Sequence, residues 1–285
     1  MKIISIPSGI AAGDAGCKDG PPIILEQWQK KYGGNDIEFV VVKPTCSCTD
    51  NVECVRLINT ELSECTEAAK VEGKFPIIIG GDHSCAIGTW SGIASAYQSQ
   101  GPIGLLWFDA HMDAHTFETS ESHNIHGMPV AVLLGKGDAR LTSIKMKTPK
   151  ILPENLCLLG VRSYEQSERD FLDSQKVRIF YQKEIEKKGF LPVFQAARQH
   201  VLQNTVGYGI SIDLDGIDPL DAPGVGVPAP QGVRKEDLYA AFQTIVTDPH
   251  LLAVEIAEYN PYRDIDNKTA DIVLALMSAL IFARA

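Results

Sequence analysis

Six residues in three short segments have the side chains and the spacing of metal ligands. They are His83, Asp109, His111, Asp113, Asp213 and Asp215. The segment DAHMD (109–113) places ligand types at alternate positions, SIDLD (211–215) repeats that spacing, and GGDHS (80–84) adds a histidine beside two glycines. In extended backbone, alternate side chains point to one side, so a single pocket can receive them.

Four of the six side chains are carboxylates, and their charge indicates what they bind. Converging carboxylates repel one another and are costly to remove from water unless cations neutralise them. Carboxylate and imidazole without thiolate favour a borderline-hard divalent ion, with Mn²⁺ the leading candidate and Fe²⁺, Co²⁺, Ni²⁺ or Zn²⁺ as alternatives. A pair of such ions lowers the pKa of bound water toward neutrality. The six residues therefore predict a binuclear metal hydrolase.

Eight short runs rich in β-branched residues recur along the chain with helical stretches between them, which is typical of a parallel sheet. The runs are KIISI (2–6), EFVVV (38–42), PIIIGG (76–81), IGLLWFD (103–109), LCLLGV (156–161), VRIFY (177–181), YGISID (208–213) and LAVEIAE (252–258). In open parallel sheets, ligands bind beyond the carboxyl ends of the strands. All six candidate ligands fall at the ends of the third, fourth and seventh runs.

Amphipathic helices are predicted between these runs. Examples are residues 52–71, behind the candidate N-cap Asp50, and residues 235–246, after a loop rich in proline and glycine. The last helix, from Thr269 onward, is apolar almost all round, which predicts packing against the sheet or a neighbouring subunit. The chain has no internal repeat, low-complexity tract or long linker. We therefore expect one α/β domain over residues 1–285.

Charge and apolar run lengths narrow the class of protein further. The formal net charge of -10 argues against binding to nucleic acid or to an anionic membrane, since either needs a basic face. The opening MKIISIPSG has too short an apolar run for a secretory signal, and residues 272–283 fall short of the roughly 20 residues of a membrane span. We therefore expect a cytoplasmic protein that binds neither nucleic acid nor membrane.

Four motifs together resemble the ureohydrolase family, which includes arginases, agmatinases and formimidoylglutamases. The motifs are GGDHS (80–84), DAHMDAH (109–115), SIDLDGIDP (211–219) and EIAEYNP (255–261). They stand in consistent order across most of the chain and are specific in combination. The resemblance implies a three-layer α/β/α fold with a central, mostly parallel sheet of about eight strands. It also implies two Mn²⁺ per chain and assembly as a homotrimer or homohexamer.

The resemblance implies a division of the ligands between two ions. One ion is held by His83, Asp109, Asp113 and Asp213. The other ion is held by Asp109, His111, Asp213 and Asp215. Asp109 and Asp213 then bridge the ions, a hydroxide between the ions attacks the carbon of a guanidinium group, and Asp113 relays the proton. Glu258 pairs with the guanidinium in this scheme, and Glu255 is the competing choice.

The segment NIHGMP makes the resemblance closest to arginases. In those enzymes a histidine at the position of His126 transfers a proton to the leaving amine. Further positions match arginase contacts to the substrate: the α-carboxylate group faces Ser120, Ser122 and Asn124, and the α-amino group faces Glu165. The implied substrate is therefore L-arginine, a small cationic guanidino compound, which would be hydrolysed to L-ornithine and urea.

Three positions depart from the arginase pattern. His115 stands where arginases usually carry asparagine, His123 replaces a glycine, and Val227 replaces a threonine. An imidazole at position 115 can still donate a hydrogen bond to a substrate carboxylate, so we expect His115 to contact the substrate. These departures bear on the choice of substrate and not on the type of reaction, because all three positions are expected to lie near the substrate.

Several alternative functions remain open. Agmatine, guanidinobutyrate and formiminoglutamate are alternative substrates for the same chemistry. A non-catalytic family member usually lacks one or more metal ligands, and none is missing here. A metal-dependent deacetylase or a two-metal phosphatase also uses Asp and His clusters, but the complete ligand set and the EYNP glutamate argue against both.

Overall fold

The computed structural model describes residues 1–33, 37–43, 50–147 and 149–284. This part of the chain contains the strands β1 Lys2–Ile6, β2 Glu38–Val41, β3 Pro76–Gly80, β4 Gly104–Phe108, β5 Leu156–Val161, β6 Arg178–Tyr181, β7 Tyr208–Asp213 and β8 Leu251–Ala257. Every run predicted from the sequence forms a strand, with bounds that agree to within one residue. These runs are short and rich in residues that suit a pleated, buried surface.

The eight strands form one sheet in the order β2-β1-β3-β8-β7-β4-β5-β6. Every pairing in it is parallel. The four central neighbours are therefore β3, β8, β7 and β4, although they are far apart in the sequence. Because all strands run the same way, their carboxyl ends meet along one edge, where α/β proteins bind their ligands.

Two hydrophobic cores cover the two faces of the sheet, and successive strand residues alternate between them. Leu106 and Phe108 of β4 belong to one core, whereas Leu105 and Trp107 belong to the other. Helices pack on both faces, so the architecture is the expected three-layer α/β/α arrangement.

The described helices are α1 Gly20–Tyr32, α2 Asn51–Val71, α3 Cys85–Tyr97, α4 Pro129–Leu133, α5 Ala139–Thr142, α6 Gln166–Ser174, α7 Gln182–Lys188, α8 Phe190–Val201, α9 Lys235–Gln243 and α10 Lys268–Arg284. Helix α2 begins behind Asp50 as predicted, because the Asp50 side chain accepts a hydrogen bond from the N–H of Val52. Helix α9 ends three residues before the predicted position.

The last helix, α10, buries most of its residues, including Ile272, Leu276 and Leu280, in the core on one face of the sheet. Near its end, Phe282 stacks against Trp28 of α1 with 6.3 Å between ring centroids. The expectation that this helix packs inward is therefore met. Within the described ranges, no helix is both long and apolar enough to cross a membrane.

Candidate active site

The four central strands each deliver polar residues to the same edge of the sheet. His83 follows β3, residues 109–113 follow β4, Asp213 and Asp215 lie at the end of β7, and Glu258 follows β8. The turn after β3 is tight: a Cβ on Gly81 would lie 1.9 Å from the carbonyl oxygen of Ser8, so only glycine fits there. The topology thus collects the residues that the sequence placed at three separate strand ends.

His83 stands at the centre of one group of carboxylates. Its Nδ1 atom lies 3.4 Å from Asp109 Oδ2, 3.2 Å from Asp113 Oδ2 and 3.1 Å from Asp213 Oδ2. This nitrogen is fully buried yet makes no hydrogen bond of acceptable geometry. A buried polar atom without a partner is costly, and one cation between these four side chains would remove that cost.

A second group forms around His111. Its Nδ1 atom lies 3.0 Å from Asp215 Oδ2 and 3.5 Å from Asp109 Oδ1. Asp109 is therefore in both groups, one carboxylate oxygen facing each histidine. The six residues predicted as metal ligands all come together. His111, Asp113, Asp213 and Asp215 line the bottom of one cavity, His83 and Asp109 lie buried against them, and we call all six residues the floor.

The pKa values of two carboxyl groups at the floor show why cations would bind there. Burial and the negative charges of Asp215 and Asp109 raise the pKa of Asp213 well above its ordinary value. Burial and the charge of Asp109 raise the pKa of Asp113 to about 6. Carboxylates that resist ionisation beside one another become ionised when divalent ions bind between them. The donor set of oxygen and imidazole nitrogen therefore fits a pair of borderline-hard ions.

The backbone conformation of residues 109–113 differs from the predicted one. Strand β4 ends at Phe108, and Asp113 has a φ of 50°, a left-handed backbone conformation that costs free energy for a residue with a side chain. The predicted continuation of extended backbone through this segment was wrong, although the three side chains still converge. A hydrogen bond between side chain and backbone holds the turn instead: Asp109 Oδ1 accepts from the N–H of His111 at 2.7 Å.

His126 and Glu258 form a hydrogen-bonded pair beside the floor. His126 Nδ1 lies 3.0 Å from Glu258 Oε1, which also accepts the backbone N–H of His83 at 2.8 Å. Burial lowers the pKa of His126, but the hydrogen bond to Glu258 and the negative charges of Glu258, Asp113 and Asp82 together raise the pKa to about 9. Burial would raise the pKa of Glu258, yet the bond to His126 holds it below its ordinary value.

Glu255, the competing choice, lies elsewhere. It is completely buried within β8 and accepts a hydrogen bond from the hydroxyl of Ser211 at 2.7 Å, and that hydroxyl lies 2.9 Å from Nε2 of His83. Glu255 therefore supports His83 from behind, whereas Glu258 lines the cavity. The two residues between them carry Glu258 past the end of the strand, where its φ is 69°.

The cavity above the floor has a volume of about 420 Å³. The residues that we call the mouth line its outer part: His115, Ser120, Glu121, Ser122, Asn124, Glu165 and Val227. All five predicted substrate contacts are among them. His123 does not line the cavity, and its ring instead stacks against Phe117 with 6.1 Å between centroids.

Both ring nitrogens of His115 already contact protein side chains, so neither is free to donate a hydrogen bond into the cavity. Its Nε2 atom lies 2.8 Å from Glu165 Oε2 and 3.3 Å from Glu168 Oε2, and its Nδ1 atom lies 3.1 Å from the hydroxyl of Thr119. These three His and Glu side chains are close enough together to resemble a further cation site. Glu168 already accepts backbone N–H groups from Ala114 and Glu165, so hydrogen bonds account for the group.

Two residues that support the site were not predicted from the sequence. Trp107 donates from Nε1 to Asp109 Oδ2 at 2.9 Å and stacks its ring on His83 with 4.2 Å between centroids. Trp107 stands two residues before Asp109 in the predicted strand 103–109, and this spacing predicts that the two side chains lie on one face. The guanidinium of Arg162 donates to the carbonyl oxygens of Asp215 and Ala229, which fixes the loop after β7. That loop is distant in sequence, so no local pattern points to it.

Comparison with known proteins places this site in a family. The Arginase family model matches residues 1–283. The arginase of Brevibacillus brevis is 36% identical over 98% of this chain and 97% of its own length. The structure of the arginase of Bacillus subtilis superposes with a TM-score of 0.89 at 32% identity, over 98% of this chain and 97% of that chain.

A third relative is a ligand complex. The structure of the arginase of Entamoeba histolytica in complex with L-ornithine has a TM-score of 0.90 and 28% identity, covering 98% of this chain and 97% of that chain. The family model spans nearly the whole chain, and the fold and the ligand side chains agree with it. This chain belongs to the arginase family.

Proposed function

We propose that this protein is a manganese-dependent arginase that hydrolyses L-arginine to L-ornithine and urea. The observation that carries the proposal is the convergence of six metal-ligand side chains, four of which line one cavity together with Glu258. Membership of the arginase family supports the substrate, as do the named relatives, one of which binds L-ornithine.

Two Mn²⁺ ions fit the floor. In this proposal His83, Asp109, Asp113 and Asp213 would hold one ion. His111 and Asp215 would hold the other together with Asp109 and Asp213, which belong to both sets. When bound, such a pair supplies Lewis acidity that makes hydroxide available near neutral pH.

Glu258 orients the guanidinium group of the substrate. Its Oε1 atom is occupied by His83 N–H and His126, whereas Oε2 faces Gly226, where a Cβ would lie 3.7 Å away. A carboxylate held in this way offers a fixed acceptor to the planar N–H donors of a guanidinium. The guanidinium carbon is then held above the floor, where water attacks it.

Asp113 and His126 move the protons. A water oxygen forms a bond to the guanidinium carbon while Asp113 accepts a proton from that water. The bond from this carbon to the nitrogen of the alkyl chain then breaks, and that nitrogen takes a proton and leaves as the amine of ornithine. His126 can supply a proton at neutral pH because its pKa is about 9.

The mouth holds the amino-acid end of the substrate. Hydroxyl groups of Ser120 and Ser122 and the side-chain amide of Asn124 are donors suited to a carboxylate. Glu165 is the acceptor suited to an ammonium group, and His115 lies beside it. These contacts favour a guanidino compound that carries a carboxylate at its other end, as L-arginine does.

A panel of substrates tests the proposal. Purified protein incubated with Mn²⁺ should release urea from L-arginine with a higher kcat/KM than from agmatine or guanidinobutyrate. It should release no formamide from formiminoglutamate. Hydrolysis of agmatine with L-arginine untouched would contradict the arginase assignment. Absence of urea from every guanidino substrate, with two ions bound, would favour a non-catalytic family member.

We further propose that the protein acts in the cytoplasm as a single domain over residues 1–285 and assembles as a homotrimer or homohexamer. Phe282 of α10 supports an assembly, since it is 55% exposed beside the rings of Trp28 and Tyr32. Exposed aromatic surface of this kind is frequent where chains associate. Light scattering on the purified protein should give three or six times the mass of one chain.

A further inference from the structure

Glu165 is the mouth carboxylate placed to meet a cationic group of the substrate beside His115. Its side chain is 69% exposed, whereas the neighbouring Glu168 side chain is 4% exposed. Glu168 is occupied by the backbone, because it accepts N–H groups from Ala114 and Glu165 at 3.0 Å each. An ammonium group that enters on this side of the cavity therefore meets Glu165.

His115 already occupies one carboxylate oxygen of Glu165. The Nε2–H group donates to Glu165 Oε2 at 2.8 Å, and the opposite ring nitrogen contacts Thr119 at 3.1 Å. The imidazole is thus fixed at both ends, and its side chain is only 12% exposed. Its hydrogen-bonding atoms are directed at the protein instead of the cavity.

This contact changes what an ammonium group gains by binding. A substrate ammonium must displace the imidazole from Glu165 Oε2 or share the carboxylate with it. In either case it gains less than it would from a carboxylate without such a partner. The donors on the other side of the mouth, Ser120, Ser122 and Asn124, are unaffected. A substrate carboxylate keeps its contacts, whereas an α-ammonium group loses most of its advantage.

We infer that His115 is a specificity-determining residue that occupies Glu165 in place of a substrate ammonium, so that this chain accepts ω-guanidino acids lacking an α-amino group nearly as well as L-arginine. The inference rests on the proposed function, since it concerns the same cavity and reaction. It extends the substrate class to guanidino acids whose chain ends in a carboxylate alone.

A double-mutant cycle between positions 115 and 165 tests the inference. The two substrates are L-arginine and 5-guanidinopentanoate, which differ only in the α-amino group. The ratio of their kcat/KM values is measured for the manganese-loaded wild type, H115N, E165Q and the double variant. Asparagine removes the imidazole and is too short to make both of its contacts, and H115Q provides a second removal at greater side-chain length.

The expected pattern is specific to the pair. The wild type should prefer L-arginine by less than about tenfold, and H115N should raise that preference about tenfold, the effect of one hydrogen bond to a charged group. E165Q should cancel the gain in the double variant while changing the wild-type ratio little. The matched variant E121Q, which alters another exposed carboxylate of the mouth, should leave the effect of H115N intact.

Binding of amine compounds gives a readout without turnover. Calorimetry with L-ornithine and 5-aminopentanoate should show the same ratios, with manganese content and Tm measured for each variant. A wild-type preference for L-arginine above about a hundredfold, or ratios unchanged in both H115N and H115Q, would overturn the inference alone. If the wild type released urea from neither substrate, the proposed function would fail and this inference with it.

Discussion

At the floor of the cavity the side chains of Asp109, Asp213 and Asp215 are at most 5% exposed, whereas at the mouth Glu165 is 69% exposed. Floor carboxylates are fixed by backbone N–H groups, as where Asp213 accepts from Asp215 at 2.9 Å. At the mouth, the side chains of His115 and Glu165 contact each other, and the His115 ring also contacts the side chains of Thr119 and Glu168. The strand ends therefore supply the residues of the floor, and loops supply the residues of the mouth.

This difference separates the chemistry from the choice of substrate. Residues anchored at adjacent strand ends keep their geometry when a neighbouring loop changes, so the reaction class depends on the sheet. Side chains that contact only other loop side chains can exchange partners after one substitution. We therefore expect floor variants to change turnover and metal binding, and mouth variants to change substrate preference.

The largest effect is expected from Asp213→Ala at the floor. Removing a bridging carboxylate takes away metal affinity and Lewis acidity worth several kcal/mol, so kcat/KM for L-arginine should fall by at least about 10³-fold. Circular dichroism should show an intact fold, and metal analysis should show fewer bound ions. The matched variant Asp218→Ala, on the same loop, should keep both ions. Retained turnover in D213A would contradict a metal-binding role for Asp213.

His126→Ala should have the next largest effect. Loss of a general acid typically costs 10²–10⁴-fold, so kcat should fall by about 10²-fold while the metal content stays at the wild-type level. Added imidazole should restore part of the rate, because it can enter the space that the side chain leaves. Turnover within twofold of the wild type would exclude His126 from proton transfer.

Glu168 lies beside the mouth residues His115 and Glu165, and its raised pKa predicts that the stability of the protein depends on pH. Burial and the adjacent Glu165 raise the pKa of Glu168 from 4.5 to about 8. Between these values the folded chain binds the proton and the unfolded chain does not, so stability falls as pH rises. From pH 6 to 8 the manganese-loaded wild type should lose about 2 kcal/mol more unfolding free energy than E168Q.

Denaturant titrations at several pH values measure this difference. Glu154→Gln, which changes an exposed carboxylate, serves as the control and should follow the wild type. Parallel pH profiles for the wild type and E168Q would show that Glu168 is ionised in the folded protein.

The smallest effect is expected from Val227→Thr at the mouth. Val227 is 47% exposed, so a hydroxyl there gains at most one hydrogen bond, about 1 kcal/mol. The KM for L-arginine should change by less than about tenfold with kcat unaltered. Val227→Ala separates the added hydroxyl from the lost methyl group. A hundredfold change in kcat would mean that the mouth and the floor are not separate in function.

The sheet and the floor were predictable because their signals are local. Strands such as 156–161 and 208–213 are continuous buried runs, and a parallel sheet places whatever follows them at one edge. Asp109 and Asp213 therefore converge without any knowledge of loop structure. The left-handed backbone of Asp113 was not predictable, since aspartate has no strong local preference for it and tertiary contacts impose it.

The mouth was predictable in composition but not in its contacts. His115 and Glu165 are 50 residues apart, and nothing local indicates that the imidazole turns to Glu165 instead of the cavity. His123 follows the same rule, because its ring packs on Phe117 outside the cavity lining. Loop side chains choose among several partners of similar energy, and only the folded chain shows which partner is within reach.

Anomalous X-ray scattering from a crystal grown with Mn²⁺ shows directly how many ions the floor holds and which side chains contact them. We expect two manganese peaks at the floor, roughly 3.5–4 Å apart, with Asp109 and Asp213 contacting both. One peak alone, or peaks that leave either Asp109 or Asp213 without a metal contact, would contradict a binuclear centre built from the three strand ends.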